Sequence, residues 1–115
     1  MPRERCRSLL QECQVGRLVF TSKAMPAVVP VRYRVEGDQV LLRAANGSGW
    51  PSHVAGSVVA FEVDAFESSG EFGWSVVVIG RAESDGQDGR DLLSLGLSTA
   101  LLTGETGALP PPVTG

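Results

Sequence analysis

The sequence is poor in the residues that build metal sites and nucleic-acid contacts. It has one histidine, a single lysine among its ten basic residues, and a formal net charge of −3. His53 has no second histidine or cysteine pair at metal-ligand spacing beside it, so no zinc or iron site is expected. An acidic chain also lacks the positive field that attracts nucleic acid or anionic membranes. The sequence therefore predicts no metal, no nucleic-acid partner and no membrane partner.

Long apolar runs and closely spaced cysteines are missing as well. No run approaches the roughly 18 residues that a membrane-spanning helix needs, and the charged first half of the N-terminal segment is unlike a secretory signal. If their segment is helical, Cys6 and Cys13 lie about 10.5 Å apart along its axis, too far for a disulfide, whose Cα atoms lie within about 7 Å. We expect a cytoplasmic protein in which both cysteines are small core residues.

The chain has the size and composition of one folded domain. It contains 115 residues, of which 43% are hydrophobic and 20% charged, and a chain of this size can bury a core without staples. From residue 103 onward it is dense in Gly, Pro and Thr and short of large apolar residues. We predict a domain over residues 1–102 and a flexible tail over residues 103–115.

Helical spacing of apolar residues occurs in two segments. A helix over about residues 3–14 is predicted by positions i, i+3, i+4 and i+7, which hold Cys6, Leu9, Leu10 and Cys13. A second helix over residues 90–102 is predicted by a leucine stripe that Gly96 weakens: Leu92, Leu93, Leu97 and Leu101.

Five segments have the composition and alternation of β-strands: residues 16–21, 27–35, 40–43, 57–64 and 72–83. The second has one face with Val29, Val31, Tyr33 and Val35. Its other face has Val28, Pro30, Arg32 and Arg34. Proline lacks an amide hydrogen, so Pro30 needs an edge, a bulge or an interruption of the ladder. Short, turn-separated strands favour a small closed barrel over a parallel sheet, which needs long helical crossovers.

The two tryptophans leave two interpretations open. Trp50 and Trp74 each follow a glycine, and Trp74 begins the strongest strand. A large ring at the end of a strand either caps the core or lines a pocket for a flat ligand or a subunit contact.

The order of these segments resembles the flavin-binding split-barrel proteins related to pyridoxamine 5'-phosphate oxidase. The matching pieces span residues 6 to about 83: VGRLVFT, AMPAVVPVRY, an EGD turn, VLLR, a Gly/Ser loop, VVAFEVD and GWSVVVIGRA. The resemblance implies a mainly β fold, a small split β-barrel with short flanking helices. It also implies a homodimer that binds FMN in a groove between two chains, with residues from both chains at each site.

The resemblance further implies which residues meet the cofactor. Beside the isoalloxazine edge it places four residues of the second strand: Val29, Pro30, Val31 and Arg32. Facing the ribityl phosphate it places residues of the third strand and its loop: Arg43, Ala44, Ser48, Gly49 and Trp50. Trp74 and Ser75 would complete the ring site. No residue stands out as a catalytic acid or base, so Arg32, Arg43 and Tyr33 are candidates for anchoring the cofactor or substrate.

Two departures from the family pattern keep alternative functions open. Gly49 and Trp50 stand where the family commonly has a lysine or arginine, and a leucine-rich segment replaces its last basic strand. One hypothesis is an FMN-binding oxidoreductase whose substrate the sequence does not identify. Another is a non-catalytic split-barrel dimer that binds a different flat or anionic small molecule or serves as an assembly subunit. A deazaflavin in place of FMN is a third.

Overall fold

The computed structural model describes residues 1–43, 53–85 and 92–113. Its elements are α1 (Arg3–Leu10), β1 (Val15–Ser22), β2 (Met25–Glu36), β3 (Gln39–Arg43), β4 (Val58–Phe66), β5 (Gly73–Ser84), β6 (Leu92–Gly96) and β7 (Leu101–Thr106). The predicted mainly β class is confirmed. Across these ranges, no helix is long and apolar enough to span a membrane.

Six of the strands close into a barrel. Each is antiparallel to its neighbours in the order β1, β2, β3, β6, β5, β4, and β4 pairs back with β1. The twelve-residue β5 is long enough to pair with β4 along one edge and with two strands along the other. On that second edge, residues 82–84 pair with β6 and residues 74–79 pair with β7. Three residue pairs between β5 and β6 therefore complete the closure.

The core lies inside the barrel under α1. Alternate residues of the strands point inward, and Phe61 of β4 is fully buried near the centre. The Tyr33 ring meets it edge to face with centroids 5.0 Å apart. The Tyr33 hydroxyl donates a hydrogen bond to the carbonyl of Leu10, 2.5 Å away. This bond and the buried apolar side of α1 fix the helix over one end of the barrel.

The predicted first helix is present, and the face predicted to be apolar is buried, but the helix is shorter than predicted. Cys6, Leu9 and Leu10 are buried, whereas α1 ends at Leu10 because the chain turns there to enter β1 at Val15. Both cysteines are free thiols: Cys6 belongs to the core and Cys13 packs against it. The interpretation as a small core residue is confirmed for Cys6, whereas Cys13 is only partly buried.

The predicted helix over residues 90–102 is wrong. The segment contains β6 and the start of β7. Leu93 and Leu95 both point inward and are at most 1% exposed, which is the period of two that a strand has. The other leucines of the segment, at positions 92, 97 and 101, hid this period by adding spacings that fit a helix. The free edge of β5 supplies the pairing that a strand needs, and Gly96 is unfavourable inside a helix.

The same strands correct the predicted tail. Residues 103–106 belong to β7 and pair with β5. The chain then follows the turn between β4 and β5: the Gly107 amide donates to the Gly73 carbonyl (3.0 Å) and the Leu109 amide to the Gly70 carbonyl (2.8 Å). The folded unit thus extends past residue 102, where the sequence placed its end.

Candidate functional site

Two arginines face each other on the outside of the barrel. Because β2 turns Val31 and Tyr33 inward, Arg32 points outward, and it lies opposite Arg43 of β3 in the antiparallel register. Like charges directly opposite each other destabilise a sheet. Neither arginine has an ion pair among the residues that the structure describes. An anion between the two guanidiniums would relieve the repulsion, so the pair is a candidate anion site.

A groove of about 220 Å³ opens over this pair, which we call the arginine groove; it is lined by Arg32, Tyr33, Arg34, Leu41, Arg43 and Leu92. A guanidinium presents its N–H donors in a planar fork that matches a phosphate. Leu41, although it is on the outer side of β3, is only 8% exposed and forms an apolar floor. The groove therefore has arginine side chains on one side and apolar side chains on the other. This combination suits a ligand in which an anionic group is attached to a flat apolar ring.

Arg34 differs from the other two arginines because it has a partner. Its Nη2 lies 2.7 Å from Oε2 of Glu36, two residues along the same strand, and both side chains are largely exposed. This single contact leaves other N–H groups of the Arg34 guanidinium available.

The predicted residues of β2 divide between the two sides of the strand. Pro30 and Arg32 lie on the outer side, whereas Val29 packs against the core and Val31 is 4% exposed. The side chains of Val29 and Val31 therefore cannot reach an outer ligand, and only their backbone could. β3 ends at Arg43, opposite Arg32, so its described part does not reach Pro30. Among the described residues, the strand partner of Pro30 is Arg17 of β1.

Tyr33 was expected to anchor a ligand, but its hydroxyl is inside the barrel. Burial raises the pKa of the Tyr33 phenol above its ordinary value, and the hydroxyl donates to Leu10. The structure therefore gives this hydroxyl a packing role under α1 instead of an anchoring one.

Trp74 and Ser75 lie away from the arginine groove. Trp74 is on the same side of β5 as the buried Val76, packs against the core, and lines a separate recess together with Arg5, Phe66 and Phe72 among others. Ser75 is on the opposite side, between Asp64 of β4 and Glu105 of β7. Within one chain the structure does not bring these two residues to Arg32 and Arg43.

The remaining predicted residues, Ala44, Ser48, Gly49 and Trp50, lie outside the described residues. Of the predicted phosphate-facing group, the structure therefore describes Arg43. In the parts of the chain that are described, no group of three His, Cys, Asp or Glu side chains could hold a metal ion.

Sequence reasoning missed a charged cluster beside the site. Arg17 of β1, which lies opposite Pro30, donates from Nε to Oε1 of Glu62 (2.9 Å) and from Nη2 to Oδ2 of Asp64 (2.8 Å). Partial burial and a hydrogen bond with Asp64 raise the pKa of Glu62, against the effect of Arg17. Burial and the nearby carboxylates of Glu12 and Asp64 also raise the pKa of Cys13, which disfavours its thiolate. One feature of the sequence could have revealed this cluster: Glu62 and Asp64 alternate with Val63 on a predicted strand, which puts both carboxylates on the same side.

Comparison with known proteins now identifies the family. The family model for pyridoxamine 5'-phosphate oxidase matches residues 2–100. The chain belongs to this family. The resemblance seen in the sequence is thereby confirmed, and so is the predicted class of a small, mainly β split barrel.

Individual solved structures and one known sequence are also similar to this chain. The "FAD binding protein" of Mycobacterium smegmatis has 27% identity and a TM-score of 0.78, over 92% of this chain and 94% of that one. The "FAD and Heme binding protein" of the same organism has 16% identity and a TM-score of 0.76, over 98% and 75%, and shows the fold alone. The uncharacterized protein Rv0080 of Mycobacterium tuberculosis is 38% identical over 87 residues, 71% of this chain. This match spans 57% of that relative, little more than half its length.

Proposed function

We propose that this protein binds a flavin nucleotide in the arginine groove and works as a homodimeric, flavin-dependent oxidoreductase. The observation that carries the proposal is the pair Arg32 and Arg43, which face each other across β2 and β3 without an opposite charge among the described residues. Family membership and the likeness to a Mycobacterium smegmatis protein described as FAD-binding support it.

The described residues fit the polar part of such a cofactor. Arg32 and Arg43 offer two guanidinium forks to one phosphate, and they supply positive charge that the residue types of Gly49 and Trp50 do not. Along β2, Pro30 and Val28 give an outer apolar surface next to Arg32, on which a flat ring can lie. FMN, with one ring, one ribityl chain and one phosphate, is the smallest flavin that meets these contacts.

The chain's own residues bind and orient in this proposal. When bound, a flavin supplies hydride-transfer chemistry. The arginines would hold its phosphate, and the flavin ring would pack against the side chain of Pro30. The described lining of the groove contains no carboxylate, histidine or cysteine, so a substrate that needs a proton must receive it from elsewhere.

A second copy is part of the proposal because the two predicted halves of the site are apart in one chain. Trp74 lines a recess that shares no residue with the arginine groove, and a site that uses both needs a partner subunit. Exposed apolar side chains are available for the contact, among them Val28 and Leu101, each 60% exposed. Light scattering after size-exclusion chromatography should give twice the 12.1 kDa chain mass; a monomer at micromolar concentration would contradict the dimer.

Flavin titration tests the binding site directly. We expect Arg43→Gln to weaken FMN binding about 10- to 100-fold, because a hydrogen bond to a charged group contributes about 1.5–3 kcal/mol. Quenching of flavin fluorescence measures the dissociation constant. Lys23→Gln is the matched control: it removes a positive charge in the turn between β1 and β2, outside the arginine groove.

Three outcomes of this titration are informative. Weak binding by Arg43→Gln with normal binding by Lys23→Gln supports the proposal. Equal binding by Arg43→Gln and wild type contradicts the placement of the phosphate. If wild type binds deazaflavin and not FMN, the groove would remain the proposed site but its cofactor would be a deazaflavin. A folded protein that binds neither would refute the proposed function.

A further inference from the structure

The recess beside Trp74 is a second concave site, which a single chain forms by itself. Its volume is about 470 Å³, and none of its lining residues lines the arginine groove. We call it the Trp74 recess; its lining includes Arg5, Ala65, Glu67, Phe72, Trp74 and Thr106. Small-molecule sites have volumes of about 300–1,000 Å³. The recess is therefore large enough to hold a ligand of its own.

The hairpin of β4 and β5 positions two aromatic rings in this recess. Trp74 lies opposite Ala65 of β4 and Thr106 of β7, so the side chains next to its ring on both neighbouring strands are small. Two residues before Trp74, the Phe72 carbonyl accepts a hydrogen bond from the Glu67 amide (2.9 Å), which continues the hairpin beyond the two strands. The Phe72 side chain is 65% exposed although it is large and apolar. The two rings offer an open apolar surface against which a third ring can pack.

Two side chains of opposite charge line the same recess and have no partners. Arg5 of α1 and Glu67 form no ion pair with each other or with any other described residue. Within the described parts of the chain, neither side chain has a hydrogen bond. The other arginines of α1 are different: Arg3 donates to two backbone carbonyls, and Arg7 donates to Asp38. Among the arginines of α1, the guanidinium of Arg5 is thus the one left for a ligand.

The two unpaired charges favour a ligand that carries both signs. A purely cationic ligand would be attracted by Glu67 and repelled by Arg5, and a purely anionic ligand would meet the reverse. An α-amino acid carries its ammonium and its carboxylate on one carbon atom, so it can contact both side chains at once. A guanidinium matches a carboxylate in shape, and a carboxylate accepts hydrogen bonds from an ammonium group. An aromatic side chain on the same molecule can then pack against Phe72 and Trp74.

We infer that the Trp74 recess binds a free aromatic amino acid. Its carboxylate lies at Arg5, its ammonium group at Glu67, and its ring against Phe72 and Trp74. The inference goes beyond the proposed function, because it needs no flavin and no residue of the arginine groove. Each of the three contacts can be removed from the ligand as well as from the protein.

Isothermal titration calorimetry of the full chain with L-phenylalanine tests the site. We expect a dissociation constant of about 1 mM or lower. Phenethylamine lacks the carboxylate and 3-phenylpropionate lacks the ammonium group. Each should bind about fivefold more weakly than phenylalanine, the size expected for the loss of a partly exposed ion pair. L-alanine, which lacks the ring, should also bind more weakly.

Variants of the recess should remove the same contacts one at a time. Arg5→Gln should weaken the binding of phenylalanine about fivefold without weakening that of phenethylamine, which has no carboxylate to lose. Glu67→Gln should weaken phenylalanine to a similar extent without weakening 3-phenylpropionate. Phe72→Ala should weaken all three ring compounds. All three side chains are exposed, so the variants should fold, and circular dichroism checks this. Lys23→Gln and Glu71→Gln are the matched controls, because each removes an exposed charge outside the recess.

The possible results separate this site from the arginine groove. The inference is overturned if wild type shows no binding of phenylalanine at about 10 mM, or if phenethylamine binds as tightly as phenylalanine. Equal binding of phenylalanine by Arg5→Gln, Glu67→Gln and wild type would overturn it too. Binding of phenylalanine that Arg43→Gln weakens would move the ligand to the arginine groove and would also overturn it. Flavin titration is a separate measurement, so the proposed function stands or falls independently of these results.

Discussion

The two sides of β2 have opposite physical characters. On the inner side, Tyr33 contacts the Phe61 ring, and its hydroxyl has a carbonyl partner in Leu10. One residue earlier, on the outer side, Arg32 faces Arg43 and has no opposite charge in the described parts of the chain. The contacts of the inner side are satisfied within one chain, whereas in the proposed function a ligand would supply the charge that the outer side lacks. Stability and binding should therefore respond to different substitutions of the same hairpin.

The largest effect should come from the inner side. We expect Phe61→Ala to lower the free energy of unfolding by about 3–5 kcal/mol, because it removes a fully buried ring and leaves a cavity against Tyr33. Urea denaturation followed by circular dichroism measures the loss. Val58→Ala on the outer side of β4, where the side chain is 61% exposed, is the control and should change stability by less than about 0.5 kcal/mol. Similar losses of stability in both variants would contradict the claim that the inner and outer sides contribute differently to stability.

The next effect tests whether β7 belongs to the packed part of the molecule. Deletion of residues 104–115 removes three residues of β7 that pair with β5. At about 1 kcal/mol for each ladder hydrogen bond, the free energy of unfolding should fall by about 2–4 kcal/mol. Deletion of residues 110–115 leaves β7 and the Leu109 bond in place and should have little effect. An unchanged thermal midpoint after the longer deletion would support the tail that the sequence suggested.

A smaller effect of opposite sign should come from the outer side. In the flavin-free protein, Arg43→Gln should raise the free energy of unfolding by about 0.2–1 kcal/mol, because it removes a like-charge pair across β2 and β3. The same variant should bind flavin less tightly, so stability and affinity would move in opposite directions. Chemical denaturation without ligand, at low salt, measures the first quantity. A loss of stability would show that Arg43 is already paired in the free protein.

The smallest effect concerns acid stability at the end of the barrel. Hydrogen bonds from Ser98 and from the Arg7 guanidinium hold the pKa of Asp38 below its ordinary value. The contribution of Asp38 is therefore present above its unfolded-state pKa and is lost as the pH falls through the lower folded-state value. Asp38→Asn should flatten the decline of the thermal midpoint between about pH 5 and pH 2. Glu71→Gln, at an exposed turn position, is the control and should leave the decline unchanged.

The sequence predicted the first five strands well because each has a partner close along the chain or a clear alternation. β1 to β3 form successive hairpins, and the inward residues Val31 and Tyr33 follow from a period of two. β6 and β7 were missed because no local pattern reveals their distant partners. β6 pairs with β3 and with the second edge of β5, and β7 pairs with that same edge of β5. Leu92 and Leu93 also put two leucines side by side, and only tertiary pairing decides which of them faces the core.

Strand alternation was enough to predict which side of the sheet the two candidate arginines occupy. Arg32 follows from the outward side of β2, and Arg43 from the hairpin that returns along it. The recess around Trp74 could not be predicted from the order of segments, because it depends on α1 crossing the end of the barrel beside β7. Glu62 and Asp64 have an evident alternation, but their common partner Arg17 lies 45 residues before Glu62 and 47 before Asp64.

The position of β7 later in the chain than its partner β5 has a consequence for synthesis on the ribosome. Until residues 101–106 have emerged, β5 presents one edge of its segment Val76–Val77–Val78–Ile79 without the partner that the finished fold supplies. An unpaired apolar edge is a template for pairing with another chain. We expect the nascent chain to depend on chaperones until β7 has emerged. We also expect chains truncated before β7 to accumulate in aggregates.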